Sequence, residues 1–331
     1  MIIVKTPLRL SFVGGGSDLA SFYQSQPGQV ICTTIDKYVY AIVKERFDNK
    51  IYLNYSKKES VDRVDDIQHN LIREALKITG VDRGVEITTL ADIPSSGSGL
   101  GSSSAITVAL LHALHTYQNN LVTAEQLAKE ACQIEIDILQ KPIGRQDQYA
   151  VAYGGINRFV FFADHSVKRH PISMTAAECR KFAASILLFF TGLTRNADAI
   201  LTEQNQNIKE GIKFSNLSQM VELVEPFIQA MQLNDIKTCA MLLEKNWQLK
   251  RQLASGISIP EIDDMYEIAK KAGALSGKIA GAGGGGFMMF LVDRENKSQI
   301  FDAMSAYREF PFTFEMSGSK VILDARSYSS K

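Results

Sequence analysis

Residues 93–105, IPSSGSGLGSSSA, place serines and glycines directly ahead of the apolar run ITVALLHAL. A strand, a Gly/Ser loop and an amphipathic helix in that order leave free backbone N–H groups and the positive end of a helix dipole facing one point, which suits a phosphate. Glycines let the backbone approach the anion, and serine hydroxyls add donors or metal-binding oxygens. The competing reading is a flexible linker or a plain helix cap. The GxxxxGK[ST] pattern is absent, and GALSGKI at 273–279 has neither its spacing nor its final hydroxyl.

Two further glycine clusters ask for chemistry. PLRLSFVGGGSDL, residues 7–19, carries Arg9 on a strand into three glycines and ends on Ser17 and Asp18. A β-turn with a helix cap at Ser17 or Asp18 explains it locally. The functional alternative is an arginine for developing negative charge and an aspartate for sugar hydroxyls. In KIAGAGGGGFMMF, Gly281, Gly283 and Gly286 formally satisfy GxGxxG, but a strand follows where a dinucleotide site needs a helix. A dehydrogenase is therefore excluded. Five glycines in six positions still require something close to the backbone, and a tight turn explains only two of them.

Such loops need rigid elements around them. IIVKTPLRLSFVGG, QVICTTIDKYVYAIVKERF and KIYLNYS read as strands, rich in β-branched and aromatic residues. A helix is predicted over DDIQHNLIREALKIT, where Ile67, Leu71, Ala75 and Ile78 recur at helical spacing and Gly80 ends it. The strand GVEITTLADIP runs into the Gly/Ser loop. Helices follow near 102–118 and 123–139, with Thr123 and Gln126 in capping-box positions. After the strand GINRFVFF, the charged stretch ADHSVKRHPISMTAAEC reads as a domain boundary. Beyond it come the strand ASILLFF, a helical region from about 196 to 254, a helix over 261–272, the strand FMMFLV, the helix NKSQIFDAMSAY and two short closing strands. The pattern predicts two α+β domains. Trp247, in EKNWQLKRQL, reads as helix packing.

Composition narrows the classes. The 331 residues are 45% hydrophobic, enough for a large core, and 36 basic residues balance 36 acidic ones. A uniformly basic, nucleic-acid-coating protein is excluded by that balance. Cys32, Cys132, Cys179 and Cys239 form no CxxC pair and predict reduced, partly buried thiols rather than a disulfide framework or a zinc site. MIIVKTPLRLSF is too short and interrupted for a signal peptide, and no run approaches about 18 apolar residues. The expectation is a cytoplasmic protein with no membrane or nucleic-acid partner.

Taken in order, PxR…GGxSD, PxxxGxGLGSSS and GAGGGG resemble the motifs of the GHMP sugar and metabolite kinase family, over essentially the whole chain. The resemblance implies an α+β, two-domain GHMP kinase fold. A ribosomal-protein-S5-like N-terminal domain would occupy residues 1–178 and a ferredoxin-like C-terminal domain 179–331, with the active site between them. It makes the phosphate loop for ATP out of Pro94, Ser95, Ser96, Gly97, Ser98, Gly99, Leu100, Gly101, Ser102, Ser103 and Ser104. In CQIEIDILQKPIGRQDQ it matches Glu135 to a helical Mg2+ ligand and, twelve residues on, Asp147 to the catalytic aspartate of a GxxDQ setting. Ser103 would join Glu135 on the metal, with Ser102 or Ser104 one residue away. Arg9 would pair with Asp147. Asp18 would bind sugar hydroxyls, with Gly15, Gly16, Ser17, Arg145, Gly283 and Gly284 completing the substrate site.

Within the family, VGGGSDL with GRQDQYAVAYGGIN, supported by YSKKE, IREALKI and FFTGLTRNADAIL, is most similar to the D-glycero-D-manno-heptose 7-phosphate kinases. Galactokinases carry GEHxD where this chain has Gly14–Asp18, which disfavours galactose. The subgroup often has glycine and threonine near Ser96–Ser98, a small-residue difference. The resemblance implies phosphorylation of the sugar's anomeric hydroxyl, with Arg145, Arg158, Lys37 and Arg195 as candidates for its 7-phosphate and Tyr55 and Ser56 near adenine. The alternatives are a kinase for fucose or a related hexose, an isoprenoid or small-acid kinase, and a silent sugar/ATP sensor of the same fold.

Overall fold

A computed structural model of the chain describes residues 1–93, 97–194, 197–211 and 213–326. The expected α+β architecture is present as two sheets with helices packed on them. The first sheet is built on the long strand Gly28–Glu45, against which Ile2–Ser11 pairs antiparallel from end to end. The order among its main strands is Lys320–Asp324, Ile2–Ser11, Gly28–Glu45, Val85–Ala91, Ile51–Asn54 and Lys58–Val61. Asn157–Phe161 and Phe314–Glu315 also pair with the long strand. The second sheet runs Arg308–Glu309, Ile186–Phe190, Phe287–Val292, Ala274–Ile279, all antiparallel.

The expected division at 178/179 describes only part of this arrangement. The chain crosses to the second sheet near there, but Phe314–Glu315 and Lys320–Asp324 return to the first. Among the described residues the closing strands are thus three, not two. The stretch expected to be a boundary is structured. Val167–Pro171 is an edge strand on Asn157–Phe161, and Ala176–Ala183 is a helix opened by a full capping box of Thr175 and Glu178. Thr123 accepts from the Gln126 N–H, one half of such a box. The helical region after 196 is broken into Ala197–Lys209, Phe214–Glu222, Val224–Gln232 and Ile236–Arg251.

Three elements position the cleft. Ile2–Ser11 delivers Arg9. The helix Ser102–Tyr117 begins at Gly101, whose φ of +74° is left-handed. That helix is not amphipathic: most of its residues, polar and apolar alike, are buried, and it packs against the first sheet. The helix Ala124–Cys132 continues into a π-helical turn, Gln133–Ile138, which carries Glu135. Such widened turns are uncommon and recur at functional sites. Trp247 is fully buried in the core of the second sheet, as helix packing requires.

The four cysteines are free and buried, and burial pushes each thiol up from its ordinary value. A thiol reagent such as Ellman's should therefore label none in the native protein and all four after unfolding. Rapid native labelling of any one would contradict this packing. Among the described residues no helix is long and apolar enough to cross a membrane.

Candidate active site

A cleft of about 580 Å3 opens where the Gly/Ser loop, the early glycines and the late glycines meet. At its centre Arg9 and Asp147 form a two-pronged ion pair. Nε donates to Oδ1 and Nη2 to Oδ2, both at 2.7 Å. Arg9 is 5% exposed, and burial disfavours its charge, yet the Asp147 carboxylate outweighs that and holds the guanidinium above its usual range. Its remaining nitrogen donates to the Gly99 carbonyl, and its backbone N–H to the Leu100 carbonyl at 3.0 Å. One arginine thus ties Asp147 to the Gly/Ser loop.

Asp18 stands beside this pair. Its carboxylate accepts from the N–H groups of Gly16 at 2.9 Å and Gln146 at 3.2 Å. Burial, then the nearby Asp147 charge, raises its pKa against those two hydrogen bonds. Gly144 is obligatory here, since a Cβ on it would lie 2.0 Å from Asp18 Oδ2.

From the loop, Gly97, Ser98, Gly99, Gly101, Ser102, Ser103 and Ser104 line the cleft. Leu100 does not; it is fully buried and contributes its carbonyl. Pro94, Ser95 and Ser96 lie outside the described residues. Behind the loop, the fully buried Glu135 accepts hydroxyl hydrogen bonds from Ser103 at 2.5 Å and Ser104 at 2.7 Å, and one from Gln148 Nε2 at 2.9 Å. Lys141 Nζ reaches Ser103 Oγ at 2.8 Å and Glu135 Oε1 at 3.1 Å. A carboxylate, two hydroxyls and a cation therefore converge under the helix N-terminus.

Several expected substrate residues are elsewhere. Gly15 and Gly16 line the cleft, but Ser17 is buried and holds the turn, donating to Gly14 and Gln29 carbonyls and accepting from the Gln29 N–H. Arg145 turns away to donate to the Tyr23 hydroxyl at 3.0 Å. Lys37 pairs with Asp36 and Arg158 with Glu225, outside the cleft. Arg195 falls outside the described residues. Tyr55 and Ser56 do not line the cleft either; Tyr55 donates to Glu59.

Gly283 and Gly284 are also displaced from their expected role. Gly284 N–H donates to the Ile257 carbonyl, and a Cβ on Gly283 would lie 2.7 Å from Ile257 Cα. The late cluster is glycine because backbone presses on it from several directions. Gly281 faces Gly99, Gly286 faces Ser98 and Gly285 faces Leu193, each too close for a side chain. Gly281 and Ala282 are the members that reach the cleft.

Sequence reasoning missed Lys141, Gln146, Asn246, Lys250 and Lys278, all of which line the cleft. Lys278 stands three residues before the first of the late glycines, the one positional signal available. Its Nζ donates to the carbonyls of Ser11 at 3.0 Å and Phe12 at 2.9 Å.

The GHMP kinases N terminal domain matches residues 68–155 and the GHMP kinases C terminal domain residues 227–309. The D-glycero-alpha-D-manno-heptose 7-phosphate kinase of Campylobacter jejuni is 32% identical, over 95% of this chain and 97% of its own. A solved D-glycero-D-manno-heptose 1-phosphate kinase from Bacteroides thetaiotaomicron superposes with a TM-score of 0.82 at 24% identity, covering 98% of this chain and all of that one. Lactococcus lactis galactokinase complexed with galactose gives 0.77 at 19% identity, over 96% and 94%. A Gly/Ser loop over a helix N-terminus, an Arg-held carboxylate in the same cleft and family matches in both halves of the chain agree: the chain belongs to the GHMP kinase family, and it is a sugar kinase, a phosphotransferase with an alcohol acceptor.

Proposed function

We propose that this cleft transfers the γ-phosphoryl group of ATP to the anomeric hydroxyl of D-glycero-D-manno-heptose 7-phosphate, giving the 1,7-bisphosphate used to make nucleotide-activated heptose. The observation that carries it is the Arg9–Asp147 pair at the foot of the Gly/Ser loop. The acceptor is taken from the full-length likeness to a heptose 7-phosphate kinase. The reading includes a cytoplasmic location, where ATP and sugar phosphates are supplied.

Phosphoryl transfer needs positioning and neutralisation of charge more than covalent catalysis. In this reading the N–H groups at the start of Ser102–Tyr117 cradle the phosphates. Asp147 accepts the proton of the acceptor hydroxyl or aims that hydroxyl at the γ-phosphorus. Arg9 keeps Asp147 ionised and offsets charge on the transferring group. Asp18, fixed by two backbone donors, orients sugar hydroxyls.

Ser103 and Glu135 would hold Mg2+. The donor set fits, because Mg2+ accepts few protein oxygens and keeps water and substrate phosphate in its shell. Lys141 already places a positive charge against both residues, so the locus favours a cation, and its side chain must swing aside for the metal. When bound, Mg2+ neutralises the nucleotide phosphates. Glu135→Gln should raise the Mg2+ concentration for half-maximal rate by about 10-fold or more. It should also weaken Mn2+ binding measured by EPR on the ATP complex. An unchanged Mn2+ affinity would remove Glu135 from the metal site.

The acceptor is tested by ADP release with Mg2+-ATP and heptose 7-phosphate, fucose, galactose, mannose or no sugar. Turnover confined to the heptose phosphate supports the reading. Preference for a neutral hexose would move the acceptor, and ATP binding without any turnover would favour a sensor.

A further inference from the structure

Among the described residues four basic side chains line the cleft, and three of them are engaged. Arg9 is spent on Asp147, Lys141 on Glu135, and Lys278 caps two backbone carbonyls. Lys278, like Lys250, has no carboxylate partner, but its ammonium meets two carbonyls where that of Lys250 meets a single side-chain oxygen. Lys250 is 5% exposed, forms no ion pair among the described residues, and its ammonium meets one neutral acceptor, Gln204 Oε1 at 3.0 Å. Burying an ammonium without a carboxylate is costly, and burial pushes Lys250 down to about 8 with only the Asp18 charge opposing.

Lys250 is not alone in having unused donors. Asn246 sits four residues earlier on the same helix and so on the same face. Its Oδ1 accepts from the Gly14 N–H at 3.1 Å, which fixes the amide, while the buried Nδ2 has no partner among the described residues. Gln204 Nε2 is likewise buried and unpartnered. A Cβ on Gly16 would lie 2.6 Å from Gln204 Nε2 and 3.6 Å from Lys250 Nζ, so those two donors converge beside Gly16, itself on the cleft wall, while Asn246 is tied to Gly14, two residues earlier. Asp18 is within electrostatic reach of both Asp147 and Lys250.

We infer that Lys250 and Asn246 Nδ2, backed by Gln204, hold the phosphate that the acceptor sugar already carries. The inference rests on the reading above that the acceptor is a sugar phosphate with its anomeric end at Asp147. A phosphate supplies the charge that Lys250 lacks and the acceptor oxygens that the amide donors lack. Of the basic residues that the sequence suggests for this role, Lys37, Arg145 and Arg158 are engaged away from this corner, and Arg195 lies outside the described residues.

Two variants test it. Lys250→Met keeps the length of the side chain and removes the charge. Asn246→Asp keeps the acceptor for Gly14 and turns the unpartnered donor into a repelling oxygen. The quantity read is kcat/KM for heptose 7-phosphate divided by that for the same heptose without phosphate. Lys250→Met should lower this ratio by about 100-fold and Asn246→Asp by about 10-fold or more, with KM for ATP and the melting temperature maintained. Inorganic phosphate should compete with the acceptor in the wild type and lose that competition in Lys250→Met. Equal losses on both acceptors, or no loss, would overturn the assignment of the phosphate to this corner. A wild-type enzyme without preference for the phosphorylated sugar would fail earlier, refuting the acceptor reading and this inference together.

Discussion

Replacing Asp147 with asparagine should lower kcat by about 1000-fold or more while the protein still binds ATP. Asparagine has the same shape, so the loop and its helix keep their places. It removes the proton acceptor, or the charge that aims the acceptor hydroxyl, and it deprives Arg9 of its counterion. Arg9 is buried and cannot turn to water, so the variant also loses stability, about 2 kcal/mol once the 27% exposure of the Asp147 side chain is allowed for. Single-turnover kinetics with labelled ATP, alongside a thermal melt, separates the two effects. A kcat within a few-fold of wild type in a folded variant would mean that Asp147 is a structural partner of Arg9 and nothing more.

The second large effect is expected at a residue with no side chain. Gly99 has φ +73°, and a Cβ on it would lie 2.3 Å from the Ala280 carbonyl oxygen. Gly281, φ +73°, would place its own Cβ 2.7 Å from Gly99 Cα. The Gly/Ser loop and the late glycines therefore touch backbone to backbone, and the opposing atoms are not flexible ends that can yield. Gly99→Ala must part the loops, and displacements of about 1 Å at a transferring centre cost on the order of 100-fold in rate. We expect kcat/KM for ATP to fall by about that factor. Gly281→Ala should reproduce the loss from the other side of the contact, and the double variant should be less than additive. Gly80→Ala is the control. Gly80 also has a left-handed φ, but nothing lies within 4 Å of its Cβ position, so only about 1 kcal/mol of backbone strain is expected and activity should hold. Equal behaviour of Gly80→Ala and Gly99→Ala would show that strain, not contact, sets the effect.

Gly99 and Gly281 also mark where the sequence is legible. Glycines write backbone requirements directly into the chain, so the three clusters announce close approaches by composition alone. What approaches them is not written there. Of the late glycines Gly283 and Gly284 are expected at the substrate, whereas the cluster presses on Gly99, Ser98, Leu193 and Ile257. The Arg9–Asp147 pair spans 138 residues, and no local pattern links two such positions; only the ordered family motifs do.

Lys250 shows the opposite limit. In EKNWQLKRQL, Lys245, Lys250 and Arg251 look alike as helical surface charges, yet Lys245 is exposed and Lys250 is buried. Burial of a charge depends on what the rest of the fold stacks over it, here Gln204 and Gly16 from distant segments. The stretch at 163–179 hides its structure for a related reason. Val167–Pro171 is an edge strand with mostly exposed, polar side chains, so it lacks the apolar alternation of a strand paired on both sides. The capping box that follows it, at Thr175 and Glu178, is readable from spacing. Glu135 is expected on an ordinary helix, and the π-helical turn that carries it toward Ser103 and Ser104 has no composition signature.

The central claim is that phosphate is transferred to the anomeric oxygen of a sugar that already bears one. Phosphorus NMR of a completed reaction with Mg2+-ATP and heptose 7-phosphate tests it most directly. Besides the two signals of ADP, the account predicts one new phosphate-ester resonance, split by the anomeric proton and rising in step with ADP, while the 7-phosphate signal persists. ADP formed with only inorganic phosphate, or a new ester coupled to any proton other than the anomeric one, would contradict it.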